Sequence, residues 1–172
     1  MASDPAAPSG APSPGSGGLT HVRADGTAHM VDVSAKSVTV RRAAAAGRVL
    51  LSPAAVSALR DGVVPKGDAL GVARVAGIQA VKRTPDLIPL AHPVAVHAVE
   101  VDLDVVDDGV EIRSVVRTAD RTGIEMEALT AVAVAALALI DMVKAVDKHA
   151  RITDVRVTAK SGGRSGDWEE GA

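Results

Sequence analysis

Strict alternation marks the most regular stretch of the chain: Val99, Val101, Leu103 and Val105 are separated by Glu100, Asp102 and Asp104, which predicts a strand with one apolar and one wet face. Asp107-Asp108-Gly109 turns the chain, and 110–117 reads as the second arm of a hairpin. Upstream, 37–52 is rich in Val, Arg and Ala and reads as another strand. Ser52 and Pro53 then open a short helix reaching Arg60, with serine as N-cap and proline in the first turn, and Asp61-Gly62 stops it. A second helix over 68–83 carries Leu70, Val75 and Ile78, with cations at Arg74, Lys82 and Arg83; Pro85 and Pro89 prevent its continuation. The segment 124–148 predicts a long helix, and 152–159 returns as a strand with Val155, Val157 and Ala159 on one face. Strand, helices, hairpin, helix, strand is the order of an α+β fold, a ferredoxin-like antiparallel sheet with helices packed on one face.

The ends read differently. Residues 1–18 combine Pro, Gly, Ser and Ala without apolar periodicity and predict a disordered tail; 161–172 predicts a flexible Gly-rich tail able to close over a substrate. Between them, 19–160 is expected to form a single α+β domain. Hydrophobic residues make up 47% of the 172, yet Phe and Tyr are absent and Trp168 is the only aromatic, so the core must be Val, Ala, Leu and Ile in close packing. A net charge of -2 and the missing aromatics argue against nucleic acid as a partner. The absence of cysteine removes disulfides, thiolate metal sites and a thiol nucleophile together. The start of the chain lacks a secretory pattern, and the longest apolar run, 128–140, is too short to span a bilayer, so no membrane partner and a cytoplasmic location are expected.

The long helix carries the first candidate chemistry. Its middle, ALTAVAVAALALI, is apolar on every side, which one small domain rarely buries unaided and which therefore predicts a subunit interface. Glu125 and Glu127 open the helix; Asp141 and Lys144 follow its apolar run. The plain reading is that the glutamates favour the helix dipole and that Asp141 and Lys144 are an ordinary i,i+3 pair. The functional reading is an ionised pair held for proton transfer. Glu127 and Asp141 lie roughly 21 Å apart along the helix, so one reacting centre could use both only if helices from two subunits met antiparallel.

Other segments are individually weak. Lys66 in PKGD sits on a tight turn before a helix N-terminus, which favours anions but is also a common surface turn. DLIPLAHP at 86–93 fixes His92 in an extended stretch between two prolines, a rigid setting that suits a site or a satisfied histidine equally. The five histidines form no metal-ligand spacing, so no metal site is expected. KSGGRSG at 160–166 suits either a phosphate-wrapping loop or a mobile tail.

Together these segments are specific. HMVDVSAK at 29–36, KGD at Lys66, ARVAGIQAVKRTPDLIPLAHP from Ala73, GIEMEALTAVAVAAL from Gly123, DMVKAV from Asp141 and AKSGGRSGD from Ala159 resemble, in order, the cyclic pyranopterin monophosphate synthase family of molybdenum cofactor biosynthesis. The resemblance runs from about Leu19 to Asp167. It implies a lyase that converts (8S)-3′,8-cyclo-7,8-dihydro-GTP to cyclic pyranopterin monophosphate and pyrophosphate. It also implies a homohexamer, a trimer of dimers with active sites at the dimer interface. Position by position it implies that Asp141, Lys144 and Lys66 are catalytic. Leu90, Ala91 and His92 would contact substrate, as would Met126 and Glu127 with Glu125 beside them, and Lys160 and Arg164 would meet the phosphates. Many relatives carry cysteine where this chain has Ala91, so a thiol is not essential here. No tightly bound cofactor is implied, although Mg2+ could accompany the triphosphate. A non-catalytic nucleotide-binding or sensing oligomer of the same fold is the competing reading; it would need the phosphate cations but not Lys66, Asp141 and Lys144.

Overall fold

The computed structural model describes residues 21–23 and 25–171 and divides into two units, Met1–Val31 and Asp32–Ala172. The expected tail at 1–18 lies outside the described residues. The described part of the first unit is a small reversal in which Val22 and Ala28 form an antiparallel bridge and the His29 amide donates to the His21 carbonyl at 3.0 Å.

The second unit is α+β. Its elements are β1 (Thr39–Leu50), α1 (Pro53–Arg60), α2 (Ala69–Val81), α3 (Thr84–Leu87), β2 (Val96–Val106), β3 (Gly109–Asp120), α4 (Glu125–Val143), β4 (Arg151–Ser161) and β5 (Trp168–Glu169). The strands form one antiparallel sheet in the order β2-β3-β1-β4-β5. The alternation that predicted the hairpin holds: Val101 and Leu103 are buried, while Glu100, Asp102 and Asp104 face water. The Ser52 hydroxyl accepts from the Ala55 amide and the Asp68 carboxylate from the Gly71 amide, so both helix starts are capped by the side chains that precede them.

The core has no aromatic side chain and is closed by proximity instead. Ala43, Ala45 and Val49 of β1 and Val110, Ile112 and Val116 of β3 meet Ala128, Ala131, Val132, Ala135 and Leu139 of α4. The Ser114 hydroxyl, buried in the same layer, donates to the Ala128 carbonyl at 2.8 Å. Helix α2 approaches α4 through Gly77, where a Cβ would fall 2.9 Å from the Ala131 carbonyl oxygen. Small residues bring backbones close enough for dispersion to replace the area that larger side chains would bury. On the other face of the sheet, charged side chains pair, among them Arg48 with Asp108 of the β2–β3 turn and Arg117 with Glu100 across strands.

Four expectations shift. Helix α4 ends at Val143 rather than Lys148 because Asp147 turns inward and its carboxylate accepts from the amides of Ser52 (2.6 Å) and His149 (2.8 Å), which ends the helix in a turn. Pro85 does end α2, yet the chain at once makes the single turn α3 with that proline in its first turn, where no amide is needed. Beyond Ser161 the chain reverses and adds β5 to the sheet edge, with Lys160 opposite Trp168. Helix α4 is also longer than its apolar run suggested: by length and composition it could cross a membrane, but more than half of it is buried against the domain.

Candidate functional site

Lys66 stands on the turn before α2, and Asp141 and Lys144 stand at the C-terminal end of α4. Packing of the two helices brings these three together across 75 residues of sequence. The Lys66 ammonium donates to Asp141 Oδ2 at 2.7 Å, and Lys144 Nζ lies 2.6 Å from Oδ1, so one carboxylate bridges two amines. The helix C-terminus favours the cations. Hydrogen bonding from Lys144, then from Lys66, holds the Asp141 carboxyl down at about 2. The cluster is open to solvent and sets two amines against one carboxylate. The i,i+3 pairing of Asp141 with Lys144 is therefore present, and Lys66 completes it.

The opposite end of α4 meets a second feature. A cavity of about 320 Å³ lies where β1, the start of α4 and the end of β4 converge; its walls include Lys36, Arg41, Arg42, Lys160 and Arg164, with Glu125 as their acidic neighbour. The register sets it up, since Arg42 pairs with Ser161 and Ala43 with Lys160, placing cations of two strands at one sheet end. Lys160 Nζ lies 3.5 Å from Glu125 Oε1 and also donates to the Ser165 hydroxyl. Arg41 Nε donates to the Asp120 carbonyl, and Arg121 Nε donates to the carbonyl of Lys36, which fix two of the walls. Five cations with one carboxylate concentrate positive charge in a cavity whose walls are fixed by the backbone. Lys160 and Arg164 were visible in the sequence; Lys36, Arg41 and Arg42 were not singled out, although the Arg-Arg pair at the start of β1 was the available signal.

Glu127 is buried, in contrast to its neighbours Glu125 and Met126. Desolvation pushes its carboxyl up to about 7, with the Glu125 charge adding to the effect. Leu90, Ala91 and His92 follow α3, where the Ala91 amide donates to the Ile88 carbonyl at 3.0 Å; they are not part of the lining of the cationic cavity. Asp32 is held below the usual carboxylate range by hydrogen bonds from Ser34, with a smaller contribution from His92. Among the described residues no group of three His, Asp or Glu side chains is placed to hold a metal ion.

The two centres are roughly 24 Å apart along α4 at about 1.5 Å per residue. Between them the helix presents an uncovered stripe, with Leu137 59% and Met126 40% exposed, so this chain alone does not bury α4 around its circumference. Val72 and Val75 of α2 are also exposed and line a shallow apolar groove.

The model of the MoaC family matches residues 30–163. A cyclic pyranopterin monophosphate synthase of Streptomyces griseus is 66% identical over 154 residues, covering 90% of this chain and 87% of that protein. One of Nocardioides sp. is 64% identical, covering 87% and 94%. A protein of Mycobacterium bovis, cyclic pyranopterin monophosphate synthase 2, is 55% identical over 160 residues, covering 93% and 96%.

Proposed function

The chain belongs to the MoaC family, and on that premise we propose that it is a cyclic pyranopterin monophosphate synthase. It takes (8S)-3′,8-cyclo-7,8-dihydro-GTP, rearranges the guanine-derived ring and closes a cyclic phosphate with release of pyrophosphate. The observation that carries the reading is the bridging of Lys66 and Lys144 by one ionised carboxylate, Asp141. Proton transfers need donors and acceptors held at fixed positions, and an aspartate kept charged at any physiological pH holds both amines in place. The cationic cavity suits the triphosphate, and any Mg2+ would enter with those phosphates. Glu127, poised near neutrality, can take or give a proton close to the phosphate end.

A single chain separates the two centres by the length of α4, which supports an active site assembled from two copies, the lysine cluster of one beside the cavity of the other. The exposed stripe of α4 and the apolar groove of α2 give such a dimer its contact surface, and three dimers would make the hexamer. The strand–helices–strand–strand–helix–strand order, with β1 and β3 central among the first four strands, supports the ferredoxin-like assignment. We place the reaction in the cytoplasm, as suits a biosynthetic enzyme of this kind.

The deciding experiment supplies the cyclic nucleotide to wild type and to Lys66→Ala and measures pterin product and pyrophosphate. Product from wild type, with loss of about 10²–10⁴ in rate in the folded variant, is expected. Nucleotide binding without turnover by wild type would reject the enzyme and favour a sensor.

A further inference from the structure

We propose that Asp167, together with the Arg156–Glu170 pair, is a positioning device that holds the loop from Ser161 to Ser165 as the phosphate-facing wall of the cationic cavity. The inference rests on the cavity being a phosphate site, and it concerns residues outside the cavity itself. Ser161, Gly162, Arg164 and Ser165 line the cavity, so its shape depends on a loop that has little side-chain packing to define it. Gly162 and Gly163 have φ of +86° and +82°, and neither tolerates a side chain. A Cβ on Gly162 would fall 2.3 Å from the Val40 carbonyl oxygen, and one on Gly163 would fall 2.4 Å from the Arg41 guanidinium.

Glycines permit this conformation but do not choose it. The choice comes from behind the loop. The Asp167 carboxylate accepts from the Gly162 amide at 2.9 Å, closing a five-residue span. Directly after it, β5 pairs with β4, and the Glu170 amide donates to the Thr158 carbonyl at 2.8 Å. Arg156 Nε then donates to both oxygens of Glu170, at 2.8 and 3.0 Å, while its Nη1 donates to the Asp154 carbonyl at 3.0 Å. Asp154 has φ of +56°, and the β1/β4 register slips beside it, between Ala46 and Arg48. Two ties thus bracket the loop's return to the sheet, and Lys160 and Arg164 sit inside the bracket.

Removing a tie should loosen phosphate binding and leave the distant lysine cluster intact. For Asp167→Ala we expect the Kd for inorganic tripolyphosphate and the KM for the cyclic nucleotide to rise about three- to tenfold, with kcat within about twofold of wild type. Asp167→Asn keeps an acceptor for the Gly162 amide and should restore both constants. Trp168, the chain's only aromatic residue, lies in β5 and supplies a direct readout. Its emission should shift to the red in Asp167→Ala and return in Asp167→Asn. Arg156→Ala should raise the same constants less, about two- to fourfold, because the pair is half exposed. If wild type binds tripolyphosphate by calorimetry and Asp167→Ala binds it equally well, the positioning role is overturned while the phosphate site stands. A fall in kcat at constant KM overturns it too. Failure of wild type to bind tripolyphosphate overturns the phosphate reading and this inference with it.

Discussion

Glu127→Gln should make the fold more stable, and by an amount that depends on pH. Burial raises the Glu127 carboxyl from 4.5 to about 7, so the folded state holds its proton more tightly than the unfolded chain does. Below pH 4.5 both states are protonated and the residue carries no penalty. As pH rises from there toward 7 the unfolded chain ionises first, so the folded state loses ground, and the penalty is complete above about 7. The full difference corresponds to roughly 3 kcal/mol at about 1.36 kcal/mol per pH unit. Glu127 sits in the first turn of α4, where the helix N-terminal amides favour the charged form, so about 1–2 kcal/mol is the better expectation. Glutamine keeps the shape and cannot ionise. Urea unfolding of wild type and variant should give nearly equal stabilities at pH 4.5 and a gap of about 1–2 kcal/mol per chain at pH 8, or roughly 3–6 °C in melting temperature. Curves that run parallel at all pH values would refute the reasoning, because the gain would then owe nothing to ionisation.

Three further outcomes follow from the same geometry. Mixing Lys66→Ala with Arg41→Ala subunits after joint refolding should recover about one quarter of wild-type activity, since random pairing makes half the dimers mixed and each mixed dimer keeps one intact site; activity no higher than that of either parent would exclude shared sites. Asp147→Ala removes a charged acceptor from the amides of Ser52 and His149 and should cost about 2–3 kcal/mol in chemical denaturation. Because hydrogen bonding from the Ser52 amide lowers the Asp147 carboxyl, this contribution is present above the unfolded value and lost as pH falls through the folded one, so the deficit should shrink in acid. Gly47→Ala would place a Cβ 2.7 Å from Val132 Cγ1 and 3.0 Å from Val155 Cγ2, and should lower stability by about 1–3 kcal/mol without changing KM.

What could be read from the chain was whatever local rules decide. Alternation from Val99 to Val105 requires one dry face whatever the sheet's partners, and the caps at Ser52 and Asp68 need only the residues that follow them. The end of α4 was not legible because it is set by the Ser52 amide, 95 residues from Asp147. A two-residue strand has no period to detect, so β5 could not be seen. The cationic cavity depends on the register of β1 with β4, and no local pattern announces that Lys160 will lie beside Arg42. Lys66, Asp141 and Lys144 were picked out by resemblance rather than spacing; their spacing alone fits an ordinary surface pair.

A helix with an ion-pair cluster at one end and a cationic cavity at the other also behaves as a ruler. Inserting or deleting one residue within α4 would move one end by about 1.5 Å and turn it by about 100° relative to the other. Asp141 would then leave the side that faces Lys66, even with every core side chain still apolar. Substitutions along α4 are buffered by neighbouring side chains, whereas a change in its length is transmitted undiminished to the site. The 19 residues from Glu125 to Val143 are thus a fixed dimension of the molecule, and variation in length belongs in the turns around it.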